Sequence, residues 1–263
     1  MDDDNVSVTV CGPEQCDIQA ADGARAAVET GAAPAAKAGT PAVGTRIDIV
    51  SDAICPWCYI GKRQLERALA ILEQEGLAFV VHWNPFQLNP DMPKEGRDRA
   101  AYRAWKFGSA AKAAALDQRI TDSAAAVGLA FRTDLMTRTP NTIDADRLIW
   151  FAGQNGVQDA VMEAVFKAYF TPGRDIGEHE VLADCAAEAG LSRETIMDFL
   201  SGDLADREMR AADQAARQAG VSGVPSFFLG GYSLFSGAMP AETIADTFRR
   251  GRDILQKRQD QPM

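Results

Sequence analysis

At 263 residues, 46% of them hydrophobic, the chain is long enough to bury a full core, as one large domain or two intimate ones. Its formal net charge of −10 excludes a nucleic-acid surface, which needs a basic patch to release counterions. No run approaches the ~18–20 apolar residues of a membrane span.

The opening "MDDDNVSVTV" has neither the cationic start nor the apolar stretch of a secretory leader, so a cytoplasmic location is expected. Residues 1–45 are rich in Ala, Gly and Pro and carry seven acids against two bases, and they read as a loosely attached extension. Cys11 and Cys16 fall in it. They are either an accessory redox pair or two thiols without a set role, and the second reading is preferred.

The folded body is expected from about Arg46. In "RIDIV", Ile47 and Ile49 alternate with polar neighbours as in a half-buried strand. After the turn "SDAICPWC", Leu65, Leu69 and Leu72 recur at helical spacing and Gly76 closes the pattern. "LAFVVHW" (77–83) is a second strand with Leu77, Phe79, Val81 and Trp83 on one face, which completes a βαβ unit with a parallel pair. Residues 85–96, with three prolines, form a loop. From about 97 to 220 almost every segment reads as helix, with no β-rich run between them: an Ala-rich run through 99–127, then 143–154, 157–170, 178–189, 192–200 and 203–219. Strand character returns in "VPSFFLGGYSLF" (224–235), where Gly230-Gly231 signals a hairpin, and a last helix covers 241–257. The order βαβ, helical block, ββα is an α/β thioredoxin-like fold interrupted by a large α-helical insertion. Its parts are 46–96 and 221–258 for the core and 97–220 for the insertion.

Cys55 and Cys58 lie where the first strand gives way to a helix. The unpaired amides and positive dipole of a helix start favour the thiolate at Cys55. Pro56 suits a first helical turn, and Cys58 follows one turn on, close enough to close a disulfide. Trp57 is expected to be partly exposed and to pack on apolar substrate side chains. Val224-Pro225 opens a later strand. Either proline isomer is compatible with the residues, and the Val224 backbone could pair with an extended substrate. A zinc site would need four ligands. Cys11 and Cys16 could complete one, but Pro and Trp between the other two cysteines favour redox use, and no metal is expected. Cys185 reads as a buried inert thiol, His82 as a structural histidine and His179 as solvated.

Together "SDAICPWCYIGKRQLE", "PFQLNPDMP", "NTIDADRLI", "VFKAYFTPGRDIGEHEVL" and "GVSGVPSFFLGGYSLFSGAMP" resemble the DsbA-like thioredoxin-fold family, in its cytoplasmic FrnE-type branch, over residues 46–257. The resemblance implies a protein disulfide oxidoreductase with Cys55 and Cys58 as the redox pair, Pro225 as a cis-proline and the loop of Phe86 near the active-site rim, with Phe86 among the substrate-binding residues. Protein or peptide thiols and disulfides are the implied partners. No cofactor is bound, and glutathione is the small thiol that could serve as redox partner. The chain departs from the family at Asp146, where histidine is frequent, and at Met239, where glutamine is. Related 2-hydroxychromene-2-carboxylate isomerases and kappa-class glutathione transferases generally carry serine in place of Cys55. A glutathione-dependent isomerase is therefore the first alternative, and a peptide-binding chaperone using Trp57, Phe86 and Pro225 the second. No residue pattern identifies an oligomer interface.

Overall fold

The computed structural model describes residues 44–259, so the expectations for Cys11, Cys16 and their extension lie outside the described residues. The first strand, β1 (Thr45–Ser51), owes its place to Ile47 and Ile49, which alternate into the core and are wholly buried. Helix α1 (Pro56–Gln74) buries Leu65, Ala68 and Leu72 on one face and ends before Gly76, whose φ of +75° only glycine adopts freely. Strand β2 (Phe79–Pro85) returns parallel to β1, with Trp83 opposite Ile49.

The chain closes the sheet only after the insertion. Strand β5 (Ser226–Leu229) runs antiparallel to β1, and β6 (Tyr232–Ser236) folds back on β5; Gly230 and Gly231, at φ +57° and +81°, make the turn between them. The order β2-β1-β5-β6 defines a thioredoxin-like sheet. The last helix, α9 (Ala241–Gln259), packs against α1 and sends Phe248 between the rings of Phe79, Phe227 and Phe235.

Between β2 and β5 lie α2 (Arg99–Lys106), α3 (Ala110–Ala126), α4 (Ile143–Gln154), α5 (Gln158–Phe170), α6 (His179–Glu188), α7 (Arg193–Ser201) and α8 (Asp206–Gln218). Two sequence expectations need correction here. The Ala-rich run is not one helix: Gly108 at φ +85° ends α2, and the Ser109 hydroxyl accepts from the Lys112 amide at 3.1 Å to start α3. Nor is the block free of β-structure, because β3 (Arg97–Asp98) pairs with β4 (Arg138–Thr139). Strands of two residues carry no readable alternation.

The insertion and the sheet share one core. Tyr59 of α1 stacks on Phe131 and Phe166, with ring centroids 5.7 and 5.0 Å away, and Leu148, Val165 and Leu182 are buried in the same cluster. Among the described residues, no helix is long and apolar enough to cross a membrane.

Candidate active site

The site forms where β1, α1 and the segment before β5 meet. Cys55 is the N-cap of α1, in extended conformation, with Pro56 in the first turn where a missing amide hydrogen costs nothing. Its carbonyl accepts the Cys58 amide at 3.0 Å, which sets the two cysteines one turn apart on the same side. Both thiols are free and buried, so the structure holds the dithiol. The Val224–Pro225 bond is cis, and the Val224 carbonyl accepts from the Cys55 thiol at 3.5 Å. Gly61 lets α1 approach this turn, since a Cβ there would meet Pro225 Cγ at 3.1 Å. Ser226 ties the turn down from the other side, donating to the Gly223 carbonyl at 2.8 Å.

The two thiols differ in surroundings. Burial pushes the Cys58 thiol well up, and the adjoining Cys55 sulfur adds to the shift. The Ser51 hydroxyl and the Asp52 amide oppose it. Cys58 therefore holds its proton at rest.

Below the thiols lies a group of buried carboxyls. Burial pushes Asp52 up to about 6 against hydrogen bonds from the Leu88 and Ile54 amides (2.6 and 3.1 Å) and from Thr142. Asp213 on α8 accepts the Gln87 amide at 2.8 Å and pairs with Arg217, which also reaches the Gln87 carbonyl. The Gln87–Leu88 segment is thus clamped by two carboxylates on different elements. Asp146 on α4 completes the group. Burial, then the charges of Asp52 and Asp213, hold it far above the carboxylate range, and its Oδ2 has no hydrogen-bond partner.

Trp57 is half-buried and packed on the core edge, and Val224 is half-buried too. Phe86 and His179 depart from expectation. Phe86 is not on the rim. It is 2% exposed, packed with Val50, Ala216 and Val221 beneath the Pro225 turn, with the Arg217 guanidinium 4.1 Å over its ring. The first exposed residue of that loop is Leu88, two positions on, while the amides of Gln87 and Leu88 are held by Asp213 and Asp52. With Phe86 and Pro225 both buried, the apolar surface suggested for a chaperone is not formed by those residues. His179 is not solvated but sits 2.9 Å from Asp144, whose other oxygen pairs with Arg147. Cys185 is buried in the insertion, and burial pushes its thiol up to about 12. Among the described residues no cluster of His, Cys, Asp or Glu is placed to hold a metal ion.

Asp52, Asp213 and Gln87 were not singled out by sequence reasoning. Asp52 stands three residues before Cys55, and that position is the one signal that could have found it; Asp213, on a helix 126 residues from its partner Gln87, offered none.

Two thiols opening a helix that leaves a β2-β1-β5-β6 sheet place the molecule among thioredoxin-fold proteins with a dithiol centre. The profile of the DSBA-like thioredoxin domain matches residues 46–249, and the chain belongs to that family of oxidoreductases. A probable DsbA oxidoreductase from Streptomyces coelicolor is 32% identical, with a TM-score of 0.73 over 83% of this chain and 92% of that one. The uncharacterized protein YwbO of Bacillus subtilis (strain 168) is 25% identical over 70% of this chain and 86% of its own. In fold the chain also resembles the cytosolic disulfide reductase DsbM of Pseudomonas aeruginosa, in a structure with GSH, at 19% identity and a TM-score of 0.54 over 81% of this chain and 99% of that one.

Proposed function

We propose that this protein is a cytoplasmic thiol–disulfide oxidoreductase of the FrnE-type branch, exchanging a Cys55–Cys58 dithiol or disulfide with protein, peptide or small-thiol substrates. One observation carries the proposal: Cys55 is the N-cap residue of α1 and its sulfur lies 3.5 Å from the Val224 carbonyl of the cis-proline turn, with Cys58 one turn behind. In the reducing direction the Cys55 thiolate attacks a substrate disulfide, forms a mixed disulfide and expels one substrate thiolate. Cys58 then gives up its proton and attacks the Cys55 sulfur. The mixed bond breaks, the Cys55–Cys58 disulfide forms, and the second substrate thiolate leaves. Two electrons pass to the substrate, and the reverse sequence oxidises it. The backbone of Val224 pairs with the substrate chain, while Pro56 and Trp57 flank the entry.

Glutathione is the small thiol that would restore the dithiol, in keeping with the GSH bound to the structurally similar DsbM. Two cysteines rather than a serine–cysteine pair favour exchange over glutathione-dependent isomerisation. Trapping tests the proposal. Cys58→Ser should accumulate mixed disulfides that a reductant releases, and Cys55→Ser should accumulate none. Adducts on neither variant, together with no 55–58 disulfide in oxidised protein, would overturn it.

A further inference from the structure

Strand β1 carries one polar side chain into an apolar row. Ile47, Ile49 and Ser51 are two residues apart and so share one face of the sheet. Ile47 and Ile49 pack in the cluster that holds Cys55, Cys58, Tyr59 and Leu65, whereas Val50 packs on the other face with Phe86, Ala216 and Val221. Ser51 therefore faces α1. It is 2% exposed, and Cys58 is wholly buried. Backbone bonds fix the path between them. The Ser51 carbonyl accepts the Phe86 amide, the Asp52 carbonyl the Cys55 amide, and the Cys55 carbonyl the Cys58 amide, each at 3.0 Å. The Ser51 hydroxyl and the Asp52 amide are the two donors that work on the Cys58 sulfur against burial. In the dithiol, however, Ser51 Oγ has no hydrogen-bond partner among the described residues.

A buried hydroxyl left without a partner costs stability, and alanine or valine would complete the row without that cost. A thiol sulfur is a weak acceptor, which is why the bond is not made in the dithiol. A thiolate is a strong one, and exchange at this centre must pass through it.

We propose that Ser51 is a catalytic residue of the resolving step, its hydroxyl donating to the Cys58 sulfur while that sulfur carries negative charge. In the reducing direction Cys58 gives its proton to a buffer base, and the Ser51 hydroxyl turns to the anion. The Cys58 sulfur attacks Cys55, the bond from Cys55 to the substrate breaks, and its electron pair leaves on the substrate thiolate. In the oxidising direction a substrate thiolate attacks Cys55, and the electron pair of the broken Cys55–Cys58 bond arrives on Cys58, where the same hydroxyl receives it. Ser51 keeps its own proton throughout. The donor is already in place when the charge forms, so no reorganisation is needed at that moment.

This inference rests on the exchange chemistry proposed above, and the experiment separates the two. The full-length chain with Cys11→Ser and Cys16→Ser is reduced and mixed, in excess, with a symmetric aromatic disulfide whose thiolate absorbs visible light. Attack by Cys55 releases one thiolate. Attack by Cys58 on the mixed disulfide releases the second, at a rate independent of protein concentration. With Ser51→Ala added, the first phase should be unchanged and the second about threefold slower at pH 7, because the thiolate fraction falls about tenfold while the more basic sulfur is about threefold the better nucleophile. The dithiol form of that variant should resist denaturant as well as the parent or better, since no hydrogen bond is removed from it. An unchanged second phase would overturn the assignment. Slowing of both phases together with a loss of stability would overturn it too, and would make Ser51 a packing residue. A parent chain that releases no second thiolate would instead overturn the exchange chemistry itself.

Discussion

At the scale of single residues, Asp52 and Asp146 show how surroundings divide two buried carboxyls. Raising a carboxyl from 3.8 to about 6 reflects roughly 3 kcal/mol against the charged form. That is the net after the amides of Leu88 and Ile54 have offset part of the cost of burial, and it leaves Asp52 charged at neutral pH. Asp146 has an oxygen with no donor and two carboxyl neighbours, so it is held as the neutral acid. Both shifts have the same sign. A proton held more tightly in the folded chain supports the fold at low pH. That support is lost as pH climbs from the unfolded value of about 3.9 through the folded one. Asp146→Asn keeps the shape and removes the titration. Its stability relative to the parent protein should rise with pH above the unfolded value in denaturant unfolding. A difference independent of pH would show that Asp146 does not titrate in the folded chain.

At the scale of elements, the contact of α1 with the proline turn sets the geometry of the two sulfurs. Gly61 sits inside a helix, where alanine would be favoured by up to about 1 kcal/mol. The added Cβ would stand 3.1 Å from Pro225 Cγ, so the turn must yield by a few tenths of an ångström. The two effects nearly cancel in stability but not in function. Gly61→Ala should unfold within about 1 kcal/mol of the parent protein while forming mixed disulfides several-fold more slowly. Equal rates would mean the turn gives way without moving Val224.

The elements that carry this contact were legible because each has a local cause. Alternation at Ile47 and Ile49, a Pro at the start of α1, and paired glycines between β5 and β6 all act over a few residues. Phe86 was misplaced because its burial depends on Ala216, Val221 and Arg217, more than a hundred residues away. The split of the Ala-rich run was written in Gly108 and Ser109, but high helix propensity on both sides hid it. Asp213, reached only through tertiary folding, left no local trace.

At the scale of the whole molecule, the insertion and the sheet are joined along α1 and α5. Lys62 is 2% exposed and faces Glu66, Asp159 and Glu163, while Tyr59 and Arg63 both donate to Glu163. Burial favours the protonated Glu163, but Arg63, Lys62 and Tyr59 outweigh it and hold the carboxyl below its usual range. The sign is opposite to that at Asp52. Glu163 supports the fold above its unfolded value of about 4.3 and loses that support as pH falls through the lower folded value. The seam between the two parts is therefore strongest at neutral pH, where the carboxyls under the dithiol weigh most against folding. Glu163 is 30% exposed and partly screened, so Glu163→Gln should cost only about 1 kcal/mol at pH 7. That loss should shrink as pH falls through the lowered folded value, where the parent carboxyl becomes protonated too. Unfolding followed by tyrosine fluorescence and by exposure of the Cys58 thiol should share one midpoint in the parent protein, since Tyr59 and Cys58 belong to the same core. If weakening the seam separates those midpoints, the insertion and the sheet can melt independently; if they move together, the shared core alone is enough to make the two parts one cooperative unit.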